Sequence, residues 1–197
     1  MTHAIKSLFK RSGFLGIGSA LILAIWLATA IASPAQTFNV LFSFNGTDGA
    51  NPGTSLVLGR DGNFYGVTGG WLGEGGGGGA YGDGTVFKIT PTGELAVLHN
   101  FNGTDGTGPN GPLILATDGN FYGTTVWGGH PPTCSQAVGS GTVFKITAAG
   151  DLTTLYNFCS ETNCADGAWP AGGLIQAVDG NLYGTTSVSG ANAAEQS

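Results

Sequence analysis

One eight-residue stretch constrains this chain more than any other, because it occurs three times. The copies are Asp61-Gly62-Asn63-Phe64-Tyr65-Gly66-Val67-Thr68, Asp118-Gly119-Asn120-Phe121-Tyr122-Gly123-Thr124-Thr125 and Asp179-Gly180-Asn181-Leu182-Tyr183-Gly184-Thr185-Thr186. Asp-Gly and Gly-Asn accept positive φ and make tight hairpin turns. The aromatic and β-branched residues that follow favour a strand. Each copy therefore reads as a turn feeding a strand. A second run, Gly-Thr-Val-Phe-Lys-Ile-Thr, starts at Gly84 and again at Gly141, and Phe44, Phe101 and Phe158 keep the same 57-residue spacing. The third Asp-Gly-Asn copy lies 61 residues after the second, so four extra residues enter around Cys159-Ser160-Glu161-Thr162-Asn163-Cys164-Ala165. Recurrence at such a period marks solenoids, propellers or arrays.

Four short strands are predicted in each repeat. In the second they cover 95–101, 113–116, 121–125 and 142–147, here called a, b, c and d. All are bounded by Gly, Asn, Asp or Pro. No segment after Ala35 has helical periodicity. Four antiparallel strands per repeat describe a propeller blade, and the length beyond a usual blade lies in the c–d connection. The chain divides into an N-terminal segment 1–35 and repeats at 38–94, 95–151 and 152–197, the third ending before its strand d. Two and a partial blades fall short of the number that closes a ring. The predicted fold is all-β: tandem four-stranded antiparallel repeats in a partial, unclosed, propeller-like array. The missing strand is expected from another chain or from a longer natural form.

The first 35 residues read as an export signal. Lys6, Lys10 and Arg11 precede an uncharged apolar run, and Ser33-Pro34-Ala35 offers a small-residue cleavage site. The alternative is an uncleaved membrane segment, since the run is about long enough to span a bilayer. Beyond Ala35 only Arg60, Lys88 and Lys145 stand against all 12 acids, a net charge of −9. That surface repels phosphate backbones and anionic lipid, which excludes nucleic acid as a partner and leaves the membrane only to an uncleaved N-terminus. Charged residues are 9% of the chain and glycine 37 of 197 residues. Disorder is the competing reading of so much glycine, but apolar residues recur in register, which a disordered tract does not require. The expected location is secreted or at the cell surface.

The repeated Asp-Gly-Asn-Phe-Tyr-Gly-Thr-Thr, the Gly-Gly loops, Gly-Thr-Val-Phe-Lys-Ile-Thr and Leu152-Thr153-Thr154-Leu155-Tyr156-Asn157-Phe158 resemble the Gloeo/Verruco (GloVer) tandem repeat. The resemblance covers about residues 38–190. It implies an exported bacterial protein of unassigned function, of the kind attached to the surface by a varied C-terminal sorting segment. It brings no known catalytic residues.

Chemistry is sparse. His99 and His130 lie in a strand and a loop, and no serine forms a nucleophile elbow with them. Asp61, Asp118 and Asp179, with Asp48, Asp105 and Asp166, form a repeated pair of acids that would suit calcium or a glycosidase. Asp before Gly is also the ordinary turn signature, and the calcium-loop spacing is absent. Asn45-Gly46-Thr47 and Asn102-Gly103-Thr104 match glycosylation acceptors but read as turns. Cys159 and Cys164 are a candidate disulfide in an oxidising compartment, with free thiols and zinc as weaker readings and Cys134 left over. No cofactor, catalytic residue or metal site is expected. Residues that recur with the scaffold belong to turns and packing, so specificity is expected in the non-repeating c–d loops, at Trp71, Trp127 and His130, with Glu74 and Cys134. Trp71, Trp127 and Trp169 could stack on sugar rings; the plainer reading is that they cap blade ends and stay buried. The sequence thus favours a non-catalytic extracellular structural or interaction module, contacting protein or glycan. The alternatives are a carbohydrate-binding module and an enzyme acting on cell-surface polysaccharide.

Overall fold

The computed structural model describes residues 38–69, 76, 78–129 and 139–188. The N-terminal segment, and with it the export or anchor expectation, lies outside the described residues. The chain divides into units 1–39 and 40–197, and all the elements below belong to the second. It is all-β. Its only helical piece among the described residues is a 3-10 turn at Thr162–Cys164, inside the four-residue insertion. Among the described residues no helix is long and apolar enough to cross a membrane.

The first sheet contains β1 (Val57–Leu58), β2 (Phe64–Thr68), β3 (Thr85–Ile89) and β4 (Leu95–Asn100), antiparallel and in that order. The second contains β5 (Thr107–Pro109), β6 (Ile114–Leu115), β7 (Phe121–Trp127), β8 (Thr142–Ile146) and β9 (Leu152–Asn157), in the order β5-β7-β8-β9 with β6 also beside β7. Their registers match residue for residue. Gly66 faces Phe87 and Tyr65 faces Lys88 in one, and Gly123 faces Phe144 and Tyr122 faces Lys145 in the other.

The repeated octapeptide braces itself. The Asp118 carboxylate accepts hydrogen bonds from the Asn120 backbone N–H (3.0 Å), Asn120 Nδ2 (2.7 Å) and the Tyr122 hydroxyl (2.8 Å). Asp61 does the same for Asn63 and Tyr65, and Asp179 for Asn181 and Tyr183. Gly119 sits at φ 84°, where a side chain would be strained. One carboxylate thus fixes the turn and the first strand residues through contacts within five positions.

The sheets are out of phase with the sequence repeats. Strand a of the second repeat, β4, pairs with strand d of the first, β3, and β9 pairs with β8. The first sheet thus joins strands b, c and d of the first repeat to strand a of the second. The reason is loop length. Thr90 to Glu94 forms a tight turn, with the Thr90 N–H on the Glu94 carbonyl (3.0 Å) and the Gly93 N–H on the Thr90 carbonyl (2.9 Å). Strands joined so closely pair as a hairpin, whereas the a–b connection is long enough to pass to the next sheet.

That passage ties the sheets together. Phe101, just past β4, reaches the second sheet and packs edge-on against Phe144 at 5.2 Å, as Phe44 packs on Phe87 at 5.0 Å. Tyr65 of the first sheet stacks on Phe121 of the second with centroids 4.1 Å apart. Tyr65, Phe101, Phe121 and Phe144, with Val67, Val86, Leu113 and Ile146, form one core between the two sheets. Within each sheet, the Thr68–Thr85 and Thr125–Thr142 hydroxyls bond at 2.8 Å, so these buried groups are satisfied.

The third repeat has two short pairs. β10 (Ala168–Pro170) lies against β13 (Thr186–Val188), and β11 (Ile175–Gln176) against β12 (Leu182–Tyr183). They correspond, 61 residues on, to β5, β6 and the two ends of β7. Among the described residues nothing stands where β3 and β8 stand in the earlier sheets.

Candidate functional site

Only part of the candidate loop residues can be located. Trp71, His130, Glu74 and Cys134 lie outside the described residues. Trp127 ends β7 and is 9% exposed, so it is packed rather than presented. Trp169 is half-buried and holds a left-handed backbone, φ 55°, at the repeat position occupied by Asn51 (53°) and Gly108 (63°). Its backbone N–H bonds the Ser140 carbonyl and its carbonyl accepts from the Ser187 hydroxyl, each at 2.9 Å, which hold the backbone in a conformation that bulky residues avoid. Cys159 and Cys164 are both buried and joined in a disulfide around the 3-10 turn.

The acids are occupied by the scaffold. Hydrogen bonds from Asn120, chiefly from its side chain, hold the Asp118 carboxyl below the usual carboxylate range; the Asn63 side chain does the same for Asp61. Asp48 and Asp105 accept the Asn45 and Asn102 backbone N–H groups at 2.9 and 3.1 Å, closing the Asn-Gly-Thr-Asp turns. Among the described residues no three His, Cys, Asp or Glu side chains are grouped to hold a metal ion.

His99 has a partner that sequence reasoning missed. Its Nε2 lies 2.8 Å from Asp105 Oδ2, and its ring meets Phe101 edge-on at 5.1 Å. Burial pushes the Asp105 carboxyl up, but the His99 contact, the Asn102 N–H and the imidazole charge together bring it below its ordinary value. Nearby Asp83 is raised, by burial and by the Asp105 charge, against a hydrogen bond to Thr107. The same slot holds Phe42 beside Phe44 and Tyr156 beside Phe158, both edge-on at 5.3 Å. The Tyr156 hydroxyl donates to Asp166 at 2.7 Å, as His99 contacts Asp105. The signal was available: residues 42, 99 and 156 share the 57-residue period. His99 is thus one filler of a repeated slot and braces a turn.

A groove of about 310 Å³ opens beside the third repeat, lined by Val143, Phe158, Pro170, Leu174, Gly184 and Asp166 among others. Its walls are the second sheet on one side and the β10–β13 and β11–β12 pairs on the other. Thr124 spans the two by donating to the Gly172 carbonyl at 3.1 Å. Asp166 at the rim is bound to Tyr156 and to the Ser160 N–H and hydroxyl, which leaves the groove predominantly apolar.

No curated protein is matched by this chain. Among solved structures it is similar to the crystal structure of a presumed gluconolactonase, with 18% identity and a TM-score of 0.40, over 66% of this chain and 40% of that one. The chain therefore spans less than half the length of that protein, and a likeness so distant says nothing of activity. The family model described as the Gloeobacter/Verrucomicrobia repeat matches residues 29–194, which include all three octapeptides, both Gly-Thr-Val-Phe-Lys-Ile-Thr runs and the Cys159–Cys164 insertion. The chain belongs to the Gloeobacter/Verrucomicrobia repeat family.

Proposed function

We propose that this chain is an exported, non-catalytic repeat module that makes structural or binding contacts with protein or glycan outside the cell. The observation that carries the reading is the use of the polar residues. Asp61, Asp118 and Asp179 each hold an Asn and a Tyr, and Asp105 holds Asn102 and His99. Catalysis requires an asymmetric cluster of acid, base or nucleophile aimed at one place. Here the ionisable groups recur with the fold and face its turns. Similar rims repeated along one scaffold instead suit multivalent contact. The basic, then apolar, N-terminus supports export.

A glycan and polysaccharide array probed with the full chain, followed by product analysis on whatever binds, tests the reading. Binding without turnover, or no binding, agrees with it. Binding lost in Trp71→Ala would narrow it to a carbohydrate-binding module. Turnover abolished by replacing one acid would refute it. Export is tested by N-terminal sequencing of secreted material, with a start near Gln36 expected and recovery of intact cytosolic protein beginning at Met1 counting against it.

A further inference from the structure

We infer that Asn110 is a site of spontaneous covalent modification. Its side-chain amide closes on the Gly111 nitrogen, and the ring opens with water to leave aspartate or isoaspartate at the junction of the second and third repeats. The other Asn-Gly pairs, Asn45-Gly46 and Asn102-Gly103, are held out of this reaction by the fold.

The chemistry has plain requirements. The nucleophile is a backbone nitrogen, so its N–H must be able to lose its proton to hydroxide or water. The asparagine side chain must be able to turn its Cγ onto that nitrogen. The following residue must leave room for ring closure, which glycine does because it has no Cβ. The bond between Gly111 N and Asn110 Cγ then forms, the Cγ–Nδ2 bond breaks, and ammonia leaves with a proton from water. Water adds to either carbonyl of the succinimide. Opening at one gives aspartate. Opening at the other gives isoaspartate, whose main chain runs through Cβ and is longer by that carbon.

The structure separates the three pairs. Asn45 Oδ1 accepts the Thr47 backbone N–H at 2.9 Å and the Thr47 hydroxyl at 2.7 Å, and the Gly46 N–H donates to the Gly49 carbonyl at 3.1 Å. Asn102 repeats this, with the Thr104 N–H and hydroxyl at 3.1 and 2.7 Å and the Gly103 N–H on the Gly106 carbonyl at 3.1 Å. Amide and nucleophile are both tied in those turns. Asn110 lies between β5 and β6 and is exposed, and neither its side chain nor the Gly111 N–H has a hydrogen bond among the described residues. Gly53 and Ala171 hold its place in the other repeats, so this amide is no part of the repeated turn chemistry. The Asp-Gly pairs of the octapeptide form the same ring only from a protonated carboxyl. Hydrogen bonds from the asparagine two positions on hold Asp61, Asp118 and Asp179 below the usual carboxylate range, and Gly62, Gly119 and Gly180 donate their N–H groups to the Gly59, Ala116 and Ala177 carbonyls.

The position gives the change a consequence. A Cβ built on Gly111 would lie 2.7 Å from the Gly172 carbonyl oxygen and 3.0 Å from the Gly173 nitrogen, and one built on Gly173 would lie 2.8 Å from Pro112 Cγ. The backbone after Asn110 is thus laid directly on the Gly172–Gly173 peptide, whose carbonyl also accepts the Thr124 hydroxyl at 3.1 Å. An added main-chain carbon has no room there. Isoaspartate would therefore loosen the third repeat from the second sheet, whereas aspartate would add only a charge at an exposed position.

The test is ageing of the purified full chain in warm, mildly alkaline buffer. Peptide mass spectrometry locates the amide loss, and electron-transfer fragmentation tells isoaspartate from aspartate. Asn110 should convert at least about tenfold faster than Asn45 or Asn102, since a factor of ten in rate is about 1.4 kcal/mol of barrier, the scale of one net hydrogen bond that the turns must break first. In guanidinium the three rates should draw together, because the turns are gone and the Asn-Gly sequence is not. Asn110→Gln, with a side chain too long to close the same ring, should block the conversion and leave circular dichroism unchanged. Backbone hydrogen exchange at 168–176 should speed up in isoaspartate-bearing protein and not in Asn110→Asp. Equal conversion of the three sites in the folded chain, or an Asn110 that converts only in guanidinium, would overturn the inference. So would a preference for Asn110 that persists in guanidinium, since local sequence rather than the fold would then explain it. Exchange at 168–176 indifferent to isoaspartate would overturn the loosening. These readouts do not depend on whether the chain binds protein or glycan.

Discussion

Replacing Gly123 by alanine sets a methyl group against a ring that has no space to yield. Phe144 is fully buried, packed on Phe101, and its Cζ would lie 2.6 Å from the new Cβ. Leu113 Cδ2 on the other side would be at 2.9 Å. Overpacking of this kind costs about 1–3 kcal/mol. The loss of glycine's freedom in the unfolded chain offsets about 0.4–1 kcal/mol of that. Phe144→Ala alone should cost about 3–5 kcal/mol through lost burial and the cavity left behind. In the double variant the methyl enters the space the ring vacated, so its penalty disappears. The double variant should therefore be more stable than the sum of the singles predicts, by about 1–2 kcal/mol, within the range seen for residues in contact. Urea titrations followed by circular dichroism, with unchanged m-values, measure each corner of the cycle. Additivity within about 0.5 kcal/mol would refute the claim that this glycine exists to seat the ring. The Gly66–Phe87 pair should give the same coupling. Gly184→Ala, which meets only the movable end of Leu174, should cost less than either.

Three further outcomes follow from the geometry. Burial first, and then the hydrogen bond to Asp61 and its charge, push the Tyr65 hydroxyl up to about 12; because the folded pKa exceeds the unfolded one, its contribution is full below pH about 10 and is lost as pH rises toward 12, so Tyr65→Phe should flatten the alkaline arm of a stability–pH curve. Asp105 is lowered, so its contribution is present above the ordinary carboxylate range and is lost as pH falls through the lowered value; Asp105→Ala should flatten the acid arm and cost about 1–3 kcal/mol at neutral pH by leaving the Asn102 N–H and His99 unpaired, measured by denaturant titration across pH. Changing Cys159 and Cys164 together to serine should cost at or below about 2 kcal/mol, because the bridge closes so short a loop, and a thermal melt that shows loss of folding would contradict this.

The features legible in the sequence are those closed by short-range forces. The Asp-Gly-Asn turn and its strand were readable because the Asp118 carboxylate reaches only as far as Asn120 and Tyr122. The strands around Phe121 and Phe144 were readable because composition and turn chemistry act locally and the period repeats them. Phase was another matter. A period states how far apart β3 and the next β8 lie, but not whether β4 belongs with the repeat it begins or the one it follows; the length of the Thr90–Glu94 turn decides that in space. The candidate sites divide in the same way. Trp127 was chosen for its glycine-rich neighbourhood, and its burial depends on the residues packed around the end of β7. His99 was read only as a strand histidine without a nucleophile-elbow serine, because Asp105 comes to it only once Phe101 has turned the chain into the next sheet. The groove at Gly184 lay furthest from view. Each of its residues has an ordinary counterpart in the earlier repeats, and its two walls come from the second sheet and from the β10–β13 and β11–β12 pairs, which only folding sets side by side. Local sequence determines turns and strands through bonds spanning a few residues, whereas grooves and pairings between sheets depend on which surfaces meet, and only the tertiary structure decides that.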